Sequence, residues 1–391
     1  MYKVQKVDLL TTVGEVLRRY HIIKNNMPVY RVNIFLDDVG RNSENTGKQY
    51  AYRLCKFLQF LEDKRGKSYK QVKKADVMRF IDSLLFGSES AFYIDKGRVT
   101  YGTARHYLTV IKEFYRFLED EMHVESNIVF ERTKKRNSKN AYLFGQIWDL
   151  DITTALSRRI SRTKSSKEHI KWYTEEEKEA IKENFSTLRD KAIFLLTLQG
   201  MRIDEVLSLR IFDYDSENME VSLYASKGKE RGNVGSVVVI PIETAKTIDD
   251  YLFNERDLAL NRSQETNSEW EYPQQLFINL RSGLNFCKPV TYRNYLCILK
   301  NAAKNAGLNP TQIRTHSGRS TKTMELLHHQ IIHPEDNLTD EHIRQLMRWS
   351  NANSITPYIN YQDKKLAIES AKKIRNRMQG AIEDEYDKNY N

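Results

Sequence analysis

Cysteine is scarce in this chain of 391 residues: Cys55, Cys287 and Cys297 are three, odd in number and far apart. They supply neither a disulfide framework nor a C-x-x-C metal knuckle, a usage that suits a reducing cytoplasm. Low-complexity tracts and internal repeats are absent, which sets aside fibrous and solenoid architectures. No run approaches ~18 uninterrupted apolar residues, so a helical membrane span is not expected. Met1–Tyr20 carries charges throughout, where a secretory signal needs an apolar stretch. Disorder over most of the chain is excluded by an apolar content of 40% with 11% aromatics. At about 100–200 residues per domain, the length points to two or three domains.

Acidic residues are nearly missing from one segment. The whole chain has 62 Lys and Arg against 52 Asp and Glu, a net charge of +10. Between Arg132 and Lys171, eleven basic residues face only Asp149, Asp151 and Glu168, so this segment alone carries +8. Lys134, Lys135, Arg136, Lys139, Arg158, Arg159 and Arg162 are the natural contacts for a polyanion, because cations that neutralise phosphates release condensed counterions. A solvated, self-repelling linker fits the same count. The last residues lean the other way, with Glu383, Asp384, Glu385 and Asp387.

Periodicity divides the chain. Residues 1–24 form a lead-in with the character of short strands. Around Tyr30–Leu36 the partial alternation fits either short strands or the approach to a helix. Tyr50, Leu54, Phe57, Leu58 and Leu61 then recur at helical spacing, with Asn45 or Thr46 as the expected N-cap and Gly66 beyond the end. Val77, Ile81, Leu84 and Leu85 form a second stripe stopped by Gly87. Ala104, Tyr107, Leu108, Ile111, Phe114, Tyr115 and Leu118 form a third, after Thr103. A helical domain over 25–131 follows. A basic connection spans 132–171, and a second domain, 172–358, opens with Thr174-Glu175-Glu176-Glu177, the signature of a capped helix. Within it, Glu220–Tyr224 and Val237–Ile240 read as a hairpin around a turn-rich Lys227–Gly235, and Leu276–Leu280 as a third short strand. Residues 359–391 make a C-terminal helix, striped by Ala367, Ala371, Ile374, Met378 and Ile382, and the acidic tail. The fold class expected is mainly α with a small antiparallel sheet in the second domain.

Four pieces of the second domain suit phosphoryl transfer. Gly200-Met201-Arg202 opens an amphipathic helix, with Glu205 one turn on. Lys227 lies in the hairpin turn. His316-Ser317-Gly318-Arg319 sets imidazole and guanidinium on one helix face. Trp349 precedes Tyr358 by nine residues. Taken singly each has a bland reading: a surface Arg, a solvated Lys, one Tyr among 22. Their order and spacing carry the information.

In that order the chain resembles the tyrosine recombinases, the phage-integrase-like site-specific DNA recombinases, over about 172–380, and less specifically their helical core-binding domain before it. The resemblance implies a two-domain, C-shaped DNA clamp. It implies a catalytic set of Arg202, Lys227, His316, Arg319, Trp349 and the nucleophile Tyr358, with Glu205 behind Arg202. Tyr358 attacks the phosphate and forms a 3′-phosphotyrosyl link. Arg202 and Arg319 clamp the phosphate oxygens, so no metal, ATP or other cofactor is needed. Lys227 is the general acid for the 5′-oxygen, and His316 assists proton transfer. Trp349 offers only an indole N–H and cannot shuttle a proton. The implied partners are a specific double-stranded DNA site, a homo-tetramer on two such sites from a protein monomeric in solution, and accessory directionality proteins. The setting is a bacterial cytoplasm, at the nucleoid, and the finer likeness is to transposase-type integrases of mobile elements.

Departures from the family pattern are specific. The common His-x-Leu-Arg-His reads His316-Ser317-Gly318-Arg319-Ser320, in which Gly318 loosens the helix start and Ser320 removes a second imidazole. Pro357 directly precedes Tyr358. Lys229 rivals Lys227, and Tyr361 rivals Tyr358. His328, His329 and His333 could be read as metal ligands, but no Cys or second spaced pair completes a zinc site, and a surface loop is the default. Two other readings share the residues: a type IB topoisomerase-like relaxing enzyme, and a non-catalytic DNA-binding accessory protein of the same fold.

Overall fold

The computed structural model describes residues 1–10, 16–41, 43–87, 99–122, 131–134, 148–151, 172–224, 234–266, 271–363 and the helical positions 368, 371, 372, 374 and 375. The chain forms two compact units, Met1–Glu168 and His169–Asn391. Both are mainly helical with small antiparallel sheets.

The first unit opens with a hairpin of β1 (Tyr2–Leu10) and β2 (Val16–Lys24), paired from Tyr2↔Lys24 to Leu10↔Val16. A two-residue turn at Asn25 and Asn26, with φ of 50° and 64°, adds β3 (Met27–Pro28). Asparagine tolerates this left-handed conformation, and the turn's twist matches that of the strands. Helices α1 (Tyr30–Gly40), α2 (Glu44–Arg65), α3 (Lys74–Phe86) and α4 (Tyr101–Met122) follow. The three stripes read from the sequence all lie in one core, with Leu54, Phe57, Phe80, Ile81, Leu108, Ile111 and Phe114 buried. The stretch Tyr30–Leu36 is helical, not strand. Its Val32, Phe35 and Leu36 have i, i+3, i+4 spacing, and Asn33 is turned inward to bond both backbone groups of Ile22 at 2.8 and 3.1 Å. Ser43, rather than Asn45 or Thr46, caps α2, accepting from the Thr46 N–H. Gly66 and Gly87 end α2 and α3 in the left-handed conformation. Within the basic stretch, β4 (Glu131–Lys134) and β5 (Trp148–Asp151) form a two-stranded antiparallel sheet.

The second unit starts at α5 (Glu175–Glu183), capped by the reciprocal Thr174–Glu177 pair. Its central helix, α6 (Leu188–Leu198), is buried along nearly its whole length. Short α7 (Ile203–Leu207) leads to a sheet of β6 (Tyr214–Asp215), β7 (Glu220–Tyr224) and β8 (Val234–Val239), all antiparallel. Helix α8 (Ile242–Asp250) runs through a π-helical turn into α9 (Asp257–Thr266). The third strand is therefore Tyr214–Asp215, and Leu276–Leu280 is not one. Its backbone groups go elsewhere: Leu276 N–H to the Leu209 carbonyl at 2.8 Å, and the Leu276 carbonyl and Ile278 N–H to the Tyr251 hydroxyl. Only single bridges, Arg210↔Gln275 and Ile278↔Pro289, remain of a ladder. Helices α10 (Tyr292–Asn305), α11 (Ser317–Ile332), α12 (Asp340–Leu346) and α13 (356–363) complete the unit.

Candidate active site

Three chain reversals build the site. After α6, Gly200 takes φ +83° and turns the chain into Arg202, the residue that caps α7. A Cβ on Gly200 would be both strained in this conformation and 3.0 Å from the Met347 sulfur. Glu205 is fixed against Arg202 twice: Oε2 accepts the Arg202 backbone N–H at 2.8 Å and Oε1 its Nη1 at 2.6 Å. The expected position of Glu205 behind Arg202 thus has a local cause, a capping pair one turn apart. Arg202 keeps 40% of its side chain exposed, while Glu205 is 6% exposed.

The second reversal places His316 at the start of α11. A Cβ on Gly318 would stand 2.4 Å from Thr197 Oγ1, so α11 can meet the end of α6 only with glycine there. The loosening expected from Gly318 gives way to tight packing. One residue on, Arg319 is fully buried, and its Nη1 and Nη2 donate to the carbonyls of Gly200 and Met347. Its guanidinium also lies over the Trp349 ring, 5.8 Å from the centroid.

The third reversal follows α12. Arg344 closes it by donating to the Trp349 carbonyl at 2.7 Å while its own carbonyl accepts the Trp349 N–H. Between them, Arg348 adopts φ +52°. Helix α13 then carries Tyr358, with Pro357 in the first turn, where its missing N–H costs nothing. The Tyr358 ring is 5% exposed, stacks on Trp349 at 5.8 Å and 24°, and joins a small core with Leu327, Ile343, Met347 and Ile355. Its hydroxyl is 3.2 Å from Ser320 Oγ.

Charge is concentrated here. Burial, then the nearby Arg202 and Arg348, push the Arg319 pKa down to about 9. Partial desolvation, then Arg319 and Arg202, hold His316 below its ordinary value, although it sits at the exposed rim. The imidazole is therefore neutral at pH 7 and able to accept a proton. Burial raises the Glu205 carboxyl, but hydrogen bonds from Arg202 and the charges of Arg348 and Arg202 outweigh it, so the net shift is downward. Glu205 is an anion shared by two guanidiniums.

The fold thus brings Arg202, Glu205, His316, Arg319, Trp349 and Tyr358 into one unit from segments up to about 150 residues apart. Lys227 and its rival Lys229 lie outside the described residues, as do Lys135, Arg136, Lys139, Arg158, Arg159 and Arg162; Lys134 ends β4. Tyr361 packs edge-on against Trp172 at 4.4 Å. His329 and His333 pair with Asp336 and Glu335, and no group of three or more potential metal ligands occurs among the described residues. Of the C-terminal stripe, Ala371 and Ile374 are helical and the rest lies outside the described residues, as does the acidic tail. Sequence reasoning missed Arg348 and the contact made by Ser320. The only signal for the first was its place beside Trp349.

Comparison with known proteins bears on the family and the fold. The phage integrase family model matches residues 171–365, and the model of the phage integrase N-terminal SAM-like domain matches 34–122. Tyrosine recombinase XerD of Rickettsia conorii is 27% identical over 226 residues, 56% of this chain and 62% of that protein. XerD of Rickettsia bellii is 30% identical over 138 residues, 34% of this chain and 41% of that one. The chain spans less than two thirds of the length of these relatives. The fold is shared with the Tn1549 transposon integrase in complex with circular intermediate DNA, at TM-score 0.54 and 15% identity over 84% of this chain and 94% of that one. It is shared also with XerH recombinase bound to its difH substrate, at TM-score 0.53 and 14% identity over 85% and 83%.

Proposed function

Because the chain belongs to the tyrosine recombinase, or phage integrase, family, we propose that it breaks and rejoins DNA strands at specific sites through Tyr358. The observation that carries this reading is the seating of Tyr358, from α13, against Trp349 and against Ser320 of α11, the helix that starts at His316 and carries Arg319. In the forward step the Tyr358 oxygen bonds to phosphorus as the bond to the 5′-oxygen breaks. The phenolic proton leaves toward neutral His316, and Lys227 protonates the departing 5′-oxygen. Arg202, with its open face, meets the phosphate oxygens, and Arg319 adds positive charge from behind. The 5′-hydroxyl of a second strand reverses these steps. Two sites and two exchanges per site make a tetramer on two DNAs the working assembly, with Lys134, Lys135, Arg136, Lys139, Arg158, Arg159 and Arg162 neutralising backbone phosphates.

The test uses duplexes nicked near the exchange point, taken from DNA flanking the gene, and denaturing gels that retain a covalent protein–DNA band. Wild type should give the band, Tyr358→Phe should abolish it, and Tyr361→Phe should keep it. Tight, specific binding without any tyrosine-dependent band would instead favour an accessory DNA-binding role. Relaxation of supercoiled plasmid lacking any particular site would favour the topoisomerase-like reading.

A further inference from the structure

The arginine cluster contains one guanidinium that the motif residues do not include. Arg348 is 15% exposed, and its Nη2 lies 2.9 Å from the Gly200 carbonyl and 3.2 Å from Glu205 Oε2. Its own carbonyl accepts from Arg202 Nη2 at 3.2 Å. One residue therefore touches both members of the Arg202–Glu205 pair. We infer that Arg348 is a positioning residue for an oxyanion, which shares Glu205 so that Arg202 keeps net positive charge for the phosphate. This rests on the recombinase reading for the identity of that phosphate, as the scissile one.

Two independent observations carry the inference. The first is electrostatic. Arg202 with Glu205 alone is a neutral pair, and a carboxylate as buried as Glu205 is poorly screened by water, so it would cancel most of the pull on an anion. Glu205 is the carboxylate that pairs with both Arg202 and Arg348 and whose charge also acts on Arg319. Three guanidiniums around it leave two positive charges in excess. The Nε–H groups of Arg319 and Arg348 are buried without an acceptor, so the groups around them do not saturate the two guanidiniums. The second is conformational. At φ +52° a side chain is strained and glycine is not. Backbone stability alone would select glycine at this turn, so the arginine is held there by what its side chain does.

The full-length protein is compared as wild type, R348G, E205Q and the R348G/E205Q double variant. Inorganic phosphate is titrated into thermal unfolding, where the rise in midpoint reports affinity for the folded state. Phosphate bound elsewhere on this basic chain is common to all four and drops out of the comparison. R348G should unfold at or above the wild-type midpoint without phosphate, yet bind phosphate about tenfold more weakly. Replacing Glu205 by neutral Gln in that background should restore most of the loss, because the anion that competes for Arg202 is gone. A purely structural Arg348 would not be rescued in this way. Should R348G unfold early, R348Q, which is long and hydrogen-bonding but uncharged, makes the same comparison.

On nicked DNA the matching expectation is covalent adduct formation slowed roughly 10–100-fold in R348G, with noncovalent binding nearly unchanged and partial recovery in the double variant. Equal phosphate affinity in wild type and R348G, or no recovery with E205Q, overturns the inference. The phosphate arm needs neither a cognate site nor Tyr358. A wild type that forms no adduct would therefore sink the recombinase reading while leaving the role of Arg348 decided on its own.

Discussion

Ser320 donates its own proton to the His316 carbonyl, 3.1 Å away, and so meets the Tyr358 hydroxyl as an acceptor. A hydroxyl held that way is engaged as a donor, and attack on phosphorus requires the bond to break first. Ser320→Ala removes a neutral hydrogen bond worth about 0.5–1.5 kcal/mol. If the bond exists only in the resting state, adduct formation on nicked DNA should speed up by roughly 2–10-fold. A slower variant would show instead that Ser320 aims the tyrosine during attack. The sequence revealed Ser320 only as a departure from His. Its partner comes from α13, 38 residues later, and a contact at that separation leaves no local pattern. Arg348 was hidden for the same reason: its partners Gly200 and Glu205 lie almost 150 residues upstream. Arg202, His316, Arg319, Trp349 and Tyr358 stood out through their order and spacing along the chain, the pattern by which it resembles the tyrosine recombinases.

At the scale of elements, helices with a clean apolar stripe and a glycine stop were readable from residue type alone. Gly66 and Gly87 end α2 and α3 at a positive φ that glycine adopts without strain. Helix α1 was ambiguous because its inward Asn33 breaks the apolar stripe, and only the Ile22 backbone it bonds explains that residue. Leu276–Leu280 has strand composition, yet tertiary partners absorb its hydrogen bonds, a case in which context overrides propensity. Gly318 belongs at this scale too, since it sets how closely α11 approaches α6. Gly318→Ala forces its Cβ to within 2.4 Å of Thr197 Oγ1, whose hydroxyl is bonded to the Phe194 carbonyl and cannot simply rotate away. Overpacking of this kind costs about 1–3 kcal/mol. The second unit should lose several degrees in unfolding midpoint, and adduct formation should fall with it, because the shift is transmitted to His316 and Arg319. An unchanged midpoint would mean that the two helices can part without cost.

At the scale of the whole molecule the question is which charges are available to DNA. A surplus of ten positive charges is not spread evenly, and some lysines of the second unit are already matched. Lys178 reaches Glu175 and Glu325, both at 2.7 Å, and Lys182 reaches Glu179 at 2.6 Å and Glu243 at 3.0 Å. Lysines held between two carboxylates release no counterion from DNA, so composition overstates the charge this unit can present. The stretch 132–171 differs in kind, because its own sequence offers only three acids to eleven bases. Each phosphate neutralised contributes about −0.9 to the slope of log K against log salt concentration. Neutralising Lys134, Lys135 and Arg136 together as glutamines should therefore reduce the magnitude of that slope by about 1–3. Binding to specific and unrelated duplexes should weaken alike, since phosphate contacts carry no sequence information. Lys178→Gln with Lys182→Gln should leave the slope where it was. Titrations at several salt concentrations separate the two expectations: a slope unmoved by the triple substitution would make the segment a solvated connection and shift the polyanion contact to other residues.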